Sequence, residues 1–402
     1  MKQLDPKRLA RQQESFELWK KAGAKGSVIF PTGGGKTQVA LIAIQALNKA
    51  DSSFSIIIVV PTQSLKSQWE KLLLSEGCLN CKVYVVNTIA LKDNIYHCDL
   101  LIADEAHRLA KSEKFPRTFE LVKYKWVLGL SATIDEACLP VINKYCPVID
   151  EMLLSEALDN NYISKYKVYN LGIDLSYSDC KKLDEWQQEY YAQIATFGDY
   201  DSYRNFLKDK AFRTELSTNL GISIGEMFGV AKRITNVVAE RKNFFYNHPA
   251  KESITRDILE IFPSKKAITF SLSIEFMNNL EDETSILCHS KMKKKEAKIA
   301  MEKFTNNKDN IRCVHSGKKL LEGIDIGGLE LGIRCSYTSS QVDAKQALGR
   351  IIRKEGDKEA IFINLYMNDP RGKKSIEQGW LESSMRGNNL NTKWIKSLNQ
   401  IK

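Results

Sequence analysis

The chain has 402 residues, of which 43% are hydrophobic and 27% charged, proportions of an ordinary globular protein with room for two or three domains. No apolar run approaches the ~20 residues of a membrane span, and Met1-Lys2-Gln3-Leu4-Asp5 lacks the apolar core of a signal peptide, so an intracellular, non-membrane protein is expected. The net charge of +10 is concentrated at the ends, residues 1–36 and 371–402 each carrying +5, which suits a polyanionic partner and equally suits solvated termini.

Residues 4–22 predict an amphipathic helix with Leu9, Phe16, Leu18 and Trp19 as its apolar positions. It carries Gln13, whose amide both donates and accepts and so suits the edge of an adenine. Gln13 is favoured over the adjacent Gln12. Next comes Ser27-Val28-Ile29, then Phe30-Pro31-Thr32-Gly33-Gly34-Gly35-Lys36-Thr37, then a helical composition over 38–47. A strand, a glycine-rich turn and a helix in that order make a phosphate-binding loop. Gly33, Gly34 and Gly35 let backbone N–H groups and the positive end of the helix approach a polyphosphate. Lys36 reaches the terminal phosphates, and the Thr37 hydroxyl coordinates Mg²⁺. The strict pattern asks for glycine at position 30, where Phe30 stands.

Ser55 to Val60 is a continuous β-branched run, read as a strand buried on both faces. At its end, Thr62, Gln63 and Lys66 fit a phosphate backbone or, as well, a capped helix start. Strands follow at 81–86 and 99–103. Cys78 and Cys81 form the one close cysteine pair; lacking a second pair at zinc spacing, they are expected to be reduced thiols. The strand at 99–103 runs into Asp104-Glu105-Ala106-His107. A carboxylate there holds Mg²⁺ while its neighbour orients and deprotonates a water, a division of labour that fits hydrolysis. A further strand, 125–130, ends in Ser131-Ala132-Thr133, two hydroxyls that link the phosphate site to a neighbouring surface or cap a helix.

At this point the chain resembles the superfamily 2 helicases of the DEAH or DEAD type. Gln13, the loop from Gly33 to Thr37, Pro61-Thr62, Asp104 to His107 and Ser131 to Thr133 occur in that family's order. The resemblance implies an α/β fold of two RecA-like parallel-sheet domains with a helical insert between them. Residues 1–150 would be the first domain, 151–248 the connector and insert, 249–370 the second domain and 371–402 a basic tail forming a helix.

The insert is expected from the helical, aromatic-rich stretch 177–241, whose Trp186, Tyr190, Tyr191, Phe197, Tyr200, Tyr203, Phe206 and Phe212 fill its core. In the second domain, strands are expected at 266–270, 284–288, 310–314, 331–335 and 360–364. Gln346, Arg350 and Arg353 share one face of a predicted helix, two guanidinium groups built to meet an anion. Together with Glu322-Gly323-Ile324-Asp325 they resemble family motifs VI and V. By resemblance, Lys36, Asp104 and Glu105 form the catalytic centre, and Gln346, Arg350 and Arg353 arrive from the other domain. Gly323 and Asp325 would link the nucleotide to the nucleic acid. Gly317 stands where the family often has threonine.

The implied activity is ATP-dependent, Mg²⁺-dependent movement along nucleic acid. DNA is favoured, as a single strand or at a single/double-strand junction, in the cytoplasm of a bacterial or phage-infected cell. An RNA helicase and a nucleic-acid-stimulated ATPase switch without unwinding are the alternatives. A protein partner through the insert is expected as well.

Overall fold

Ile56–Val60 forms a strand whose every residue is buried, as its β-branched run requires. The computed structural model describes residues 5–306, 310–317, 326–338, 341–354, 356, 358–385 and 391–401. The strands of the first unit are β1 (Lys25–Ile29), β2 (Ile56–Val60), β3 (Cys81–Val85), β4 (Tyr96–His97), β5 (Leu100–Asp104), β6 (Val122–Lys123), β7 (Trp126–Ser131) and β8 (Val148–Glu151). Six of them make a parallel sheet in the order β3-β2-β5-β7-β1-β8, while β4 and β6 pair separately. The carboxyl ends of β1, β5 and β7 therefore lie near one another, at the edge where α/β sheets place their ligands.

The second unit contains β9 (Lys165–Asp174), β10 (Ala267–Phe270), β11 (Ser285–Cys288), β12 (Cys313–Ser316), β13 (Leu331–Arg334), β14 (Glu359–Asn368) and β15 (Thr392–Ile395). They form a seven-stranded parallel sheet in the order β11-β12-β10-β13-β14-β9-β15. Two expectations are corrected here. Residues 165–174, expected within the connector, are a full strand of the second sheet, and the tail contributes a strand as well as the helix Ile376–Ser384. The strand expected at 310–314 begins at Cys313, and the one expected at 360–364 extends to Asn368.

The tail helix is fixed by a fully buried ion pair. Lys251 Nζ donates to Glu377 Oε1 at 2.5 Å and to the Cys335 carbonyl at 2.9 Å, while Glu377 Oε2 accepts from the Met367 amide at 2.8 Å.

The insert comprises the helices Tyr177–Ile194, Tyr200–Lys208, Lys210–Leu220 and Ile224–Tyr246. Phe197, Tyr203 and Phe206 fill its core with Ile194, Met227, Ala231 and Ile234, whereas Tyr191 and Tyr200 are exposed. The longer two helices start from capping boxes, Ser176 with Asp179 and Ser223 with Glu226, which satisfy the first backbone amides of each. Leu175, Cys180, Leu183 and Phe245 pack with Met367 of β14, so the insert is rooted in the second unit. Arg371 bridges Asp369 and Asp184 across the same junction.

Candidate nucleotide site between the two units

The phosphate loop starts from a buried residue. Phe30 directs its side chain into the core, and its carbonyl accepts from Lys36 Nζ at 2.9 Å. Its backbone is what the loop uses, so glycine is not needed there. The Gly34 amide donates to the Pro31 carbonyl, and Gly33 and Gly35 have φ of 89° and 100°, a region costly for any residue with a Cβ. At Gly35 the restriction is also steric, since an added Cβ would lie 1.8 Å from Gln12 Nε2. Gly35 caps the helix Lys36–Ala50 without a side-chain hydrogen bond. That end is thus equipped for an anion. Thr37 is exposed beside it, and burial lowers the Lys36 pKa against the opposing pull of Glu105 and Asp104.

Asp104 ends β5 and is buried. It accepts from Trp69 Nε1 at 2.8 Å and from the Glu105 amide at 3.0 Å. Burial, reinforced by the charge of Glu105, pushes its pKa up to about 6. Glu105 sits in the left-handed region with φ 51°, a strained conformation for a glutamate and one often found at functional sites. Its Oε2 is buried without a hydrogen bond among the described residues and lies 3.4 Å from His107 Nδ1. His107 is held neutral by burial, its pKa lowered to about 4, and its Nδ1 lies 2.8 Å from Ser131 Oγ. Ser131 Oγ donates to the Thr133 carbonyl. The Ser131 hydroxyl, through His107, therefore connects the strand ends of β5 and β7, while Thr133 takes part through its backbone.

The second unit meets this loop through the helix Gln341–Ile351. Gly349 faces Thr32, and Arg353 lies beside Gly33, its Cα 3.7 Å from where a Cβ on that glycine would be. The charge of Arg353 further depresses the Lys36 pKa. Arg350 is buried and Gln346 half-buried on that helix, whereas Arg353, expected on the same helical face, lies beyond the last helical residue, Ile351, and bridges to Ile163 instead. Apolar packing is continuous across the junction through Phe30, Met152, Ile163, Leu348 and Ile352. The residues expected at Gly323 and Asp325 lie outside the described residues.

One expectation is reversed. Gln13 is exposed, whereas Gln12 is buried, donates Nε2 to the Gly34 carbonyl at 3.3 Å and leaves Oε1 without a partner among the described residues. The helix Pro6–Lys21 docks through Gln12, Ser15 and Trp19, while Leu18 is exposed; a stripe of apolar residues alone does not identify that face. Of the open readings at Thr62, the structure has the cap, Oγ1 accepting from the Leu65 amide at 3.3 Å.

Sequence reasoning missed three side chains. Arg8, one turn before Gln12, donates to the Gly33 carbonyl. Trp69 orients Asp104. Arg11 makes a bidentate pair with Asp150 and lies 5.0 Å from the Phe30 ring. The spacing of Arg8 and Gln12, four apart on one helix, was the available signal.

Comparison with known proteins adds an independent line. The family model described as Type III restriction enzyme, res subunit, matches residues 5–83 and 79–136, and the helicase conserved C-terminal domain matches 247–355. The chain is 25% identical over 379 residues to the DNA 3'-5' translocase XPB2 of Sulfurisphaera tokodaii, covering 88% of this chain and 80% of that one. Among solved structures it resembles the ATP-dependent type ISP restriction-modification enzyme LlaBIII bound to DNA, with a TM-score of 0.62 and 19% identity over 99% of this chain. The chain spans only 32% of that enzyme's length. It also resembles S. cerevisiae Dbp5 bound to RNA and ADP BeF3, with a TM-score of 0.61 and 11% identity over 96% of this chain and 89% of that one.

Proposed function

The chain belongs to the superfamily 2 helicases, ATP-hydrolysing proteins of two RecA-like units, and from its split pocket we infer a motor that moves along DNA. The observation that carries this reading is the seating of Gly349 and Arg353, from the second unit, on Thr32 and Gly33 of the first. Closure of two rigid bodies about a shared pocket is a means of converting nucleotide hydrolysis into displacement.

In this reading the loop amides and Lys36 hold the phosphates, and Gln12 takes the adenine role first given to Gln13. The site also fits a magnesium ion: the Thr37 hydroxyl and the Asp104 carboxylate are hard oxygen donors, and Glu105 keeps a buried oxygen without a hydrogen bond among the described residues. Thr37 and Asp104 would hold the ion, which would neutralise phosphate charge. Glu105 takes the proton of the attacking water. Arg350 and Arg353 stabilise charge developing on the γ-phosphate, a contribution of ~10³ or more in rate, and Gln346 presents its amide from the same helix. DNA is assigned from the Sulfurisphaera tokodaii relative, whose name records it as a DNA 3'-5' translocase. The basic ends of the sequence support contact through phosphates, largely independent of base sequence.

The test is ATP turnover with single-stranded DNA, duplex DNA and RNA, followed by a strand-displacement or translocation assay. Stimulation greatest with DNA, falling as salt rises, is expected. Stronger stimulation by RNA would move the substrate to RNA, and DNA-stimulated hydrolysis without movement would make the protein a switch.

A further inference from the structure

We propose that residues 154–164, which connect β8 of the first sheet to β9 of the second, are a positioning strap that sets the arginine helix over the phosphate loop. An interdomain connection is ordinarily exposed and crossed by few contacts. Here Ile163 and Ser164 are fully buried, and the segment is fastened to both walls of the nucleotide site.

The first fastening is on the nucleotide side. Arg11, on the helix that carries Gln12, donates Nε to Glu156 Oε1 at 2.8 Å while its two terminal nitrogens hold Asp150 at 2.6 and 2.9 Å. These charges hold the Arg11 pKa above its ordinary value, the hydrogen bond to Asp150 contributing most. Tyr162 adds a hydrogen bond from its hydroxyl to the Lys7 carbonyl at 3.3 Å.

The second fastening is on the arginine helix. That helix ends at Ile351, so the carbonyls that follow have no partner within it. Ser164 supplies partners for two of them: its amide donates to the Ile352 carbonyl at 2.8 Å and its Oγ to the Arg353 carbonyl at 3.0 Å. Ile163 forms an antiparallel bridge with Arg353, and Lys354 Nζ donates to Asn161 Oδ1 at 3.0 Å. Ile163 also reaches the loop, its Cγ2 3.6 Å from a Cβ placed on Gly33. Arg353 lies beyond the last helical residue, so helix geometry alone does not fix its backbone. Ser164 fixes it.

Ser164 and Glu156 are therefore positioning residues for hydrolysis, acting through Arg353 and Arg11. The proposal rests on the motor reading. Its test uses the full chain with Ser164→Ala, Glu156→Ala, the two combined, and Glu156→Gln, which keeps the acceptor for Arg11. Glu156 is partly exposed, so removing its charge spares the fold, as an unchanged melting temperature will verify. Each alanine variant is expected to lower kcat about three- to tenfold with KM for ATP within about twofold of wild type. Affinity for ADP should be unchanged, while affinity for ADP with aluminium fluoride, a transition-state mimic, falls with kcat. The combined variant should be no slower than the worse single variant, because the fastenings act in series, and Glu156→Gln should recover most of the rate.

Wild-type kcat in both single variants, or an equal loss of ADP and ADP–aluminium fluoride binding, overturns the strap and leaves the motor standing. A wild-type chain whose ATPase no nucleic acid stimulates overturns the motor and the strap together.

Discussion

Gly349 lies against Thr32 so closely that a Cβ added to it would stand 2.6 Å from both Cβ and Oγ1 of the threonine. The absence of one methyl group is what lets the arginine helix of the second unit rest on the phosphate loop of the first. Gly349→Ala should leave the first unit folded and able to bind ATP while holding the units apart, and an ångström of displacement is enough to cost ~10²-fold in turnover. Adding Thr32→Gly removes both obstructing atoms and should restore part of the rate. Steady-state kcat set beside nucleotide affinity checks this; wild-type turnover in Gly349→Ala would mean that the contact is not used.

Lys36→Ala and Glu105→Gln should each abolish turnover by different routes. The first loses nucleotide affinity along with hydrolysis, because the phosphate clamp is gone. The second keeps affinity and loses kcat, because an amide cannot take a proton from water. Binding of a fluorescent ATP analogue alongside phosphate release separates them.

Arg350→Ala should spare ATP binding and remove most of the hydrolysis, by ~10³-fold if the arginine acts on the transition state. A large loss of affinity at unchanged kcat would place it elsewhere.

Gln12→Ala should raise KM for ATP and blunt the preference for ATP over GTP, since the buried amide is the one facing the loop. Gln13→Ala should do neither. The paired measurement tests the correction directly.

Lys251→Met should destabilise the second unit by about 3–5 kcal/mol by leaving the Glu377 carboxylate buried without its cation. Lys251→Met with Glu377→Gln should recover much of that loss, because the amide oxygen still accepts from the Met367 amide. Denaturant midpoints measure both.

The central strands and the loop were legible in sequence because their signals are local. The β-branched run 56–60 declares a buried strand, the three glycines a turn, and the run 99–103 the strand at whose end Asp104 and Glu105 stand, each within a few residues. The helix that carries Gln346 and Arg350 was legible from its spacing, but it stops at Ile351, so the helical face expected to include Arg353 does not extend to it. What failed to show depends on contacts between distant segments. Gln12 and Gln13 differ only in which face of their helix docks, and that face is marked by Gln12, Ser15 and Trp19, two of them polar. The membership of 165–174 in the second sheet was hidden for the same reason: Lys165 pairs with Glu359, a partner no short window contains. Arg11 likewise draws its meaning from Asp150.

The placement of β9 between β14 and β15 has a consequence for synthesis. All strands of the first sheet lie within residues 25–151, so that unit can assemble while the ribosome is still reading the rest of the message. At ~5–20 residues per second, β9 then waits roughly 10–40 s for β14 to emerge, with neither edge covered. A nascent chain paused in that interval offers a ten-residue strand to any neighbour, which makes the vectorial stage, rather than the finished protein, the moment most exposed to aggregation.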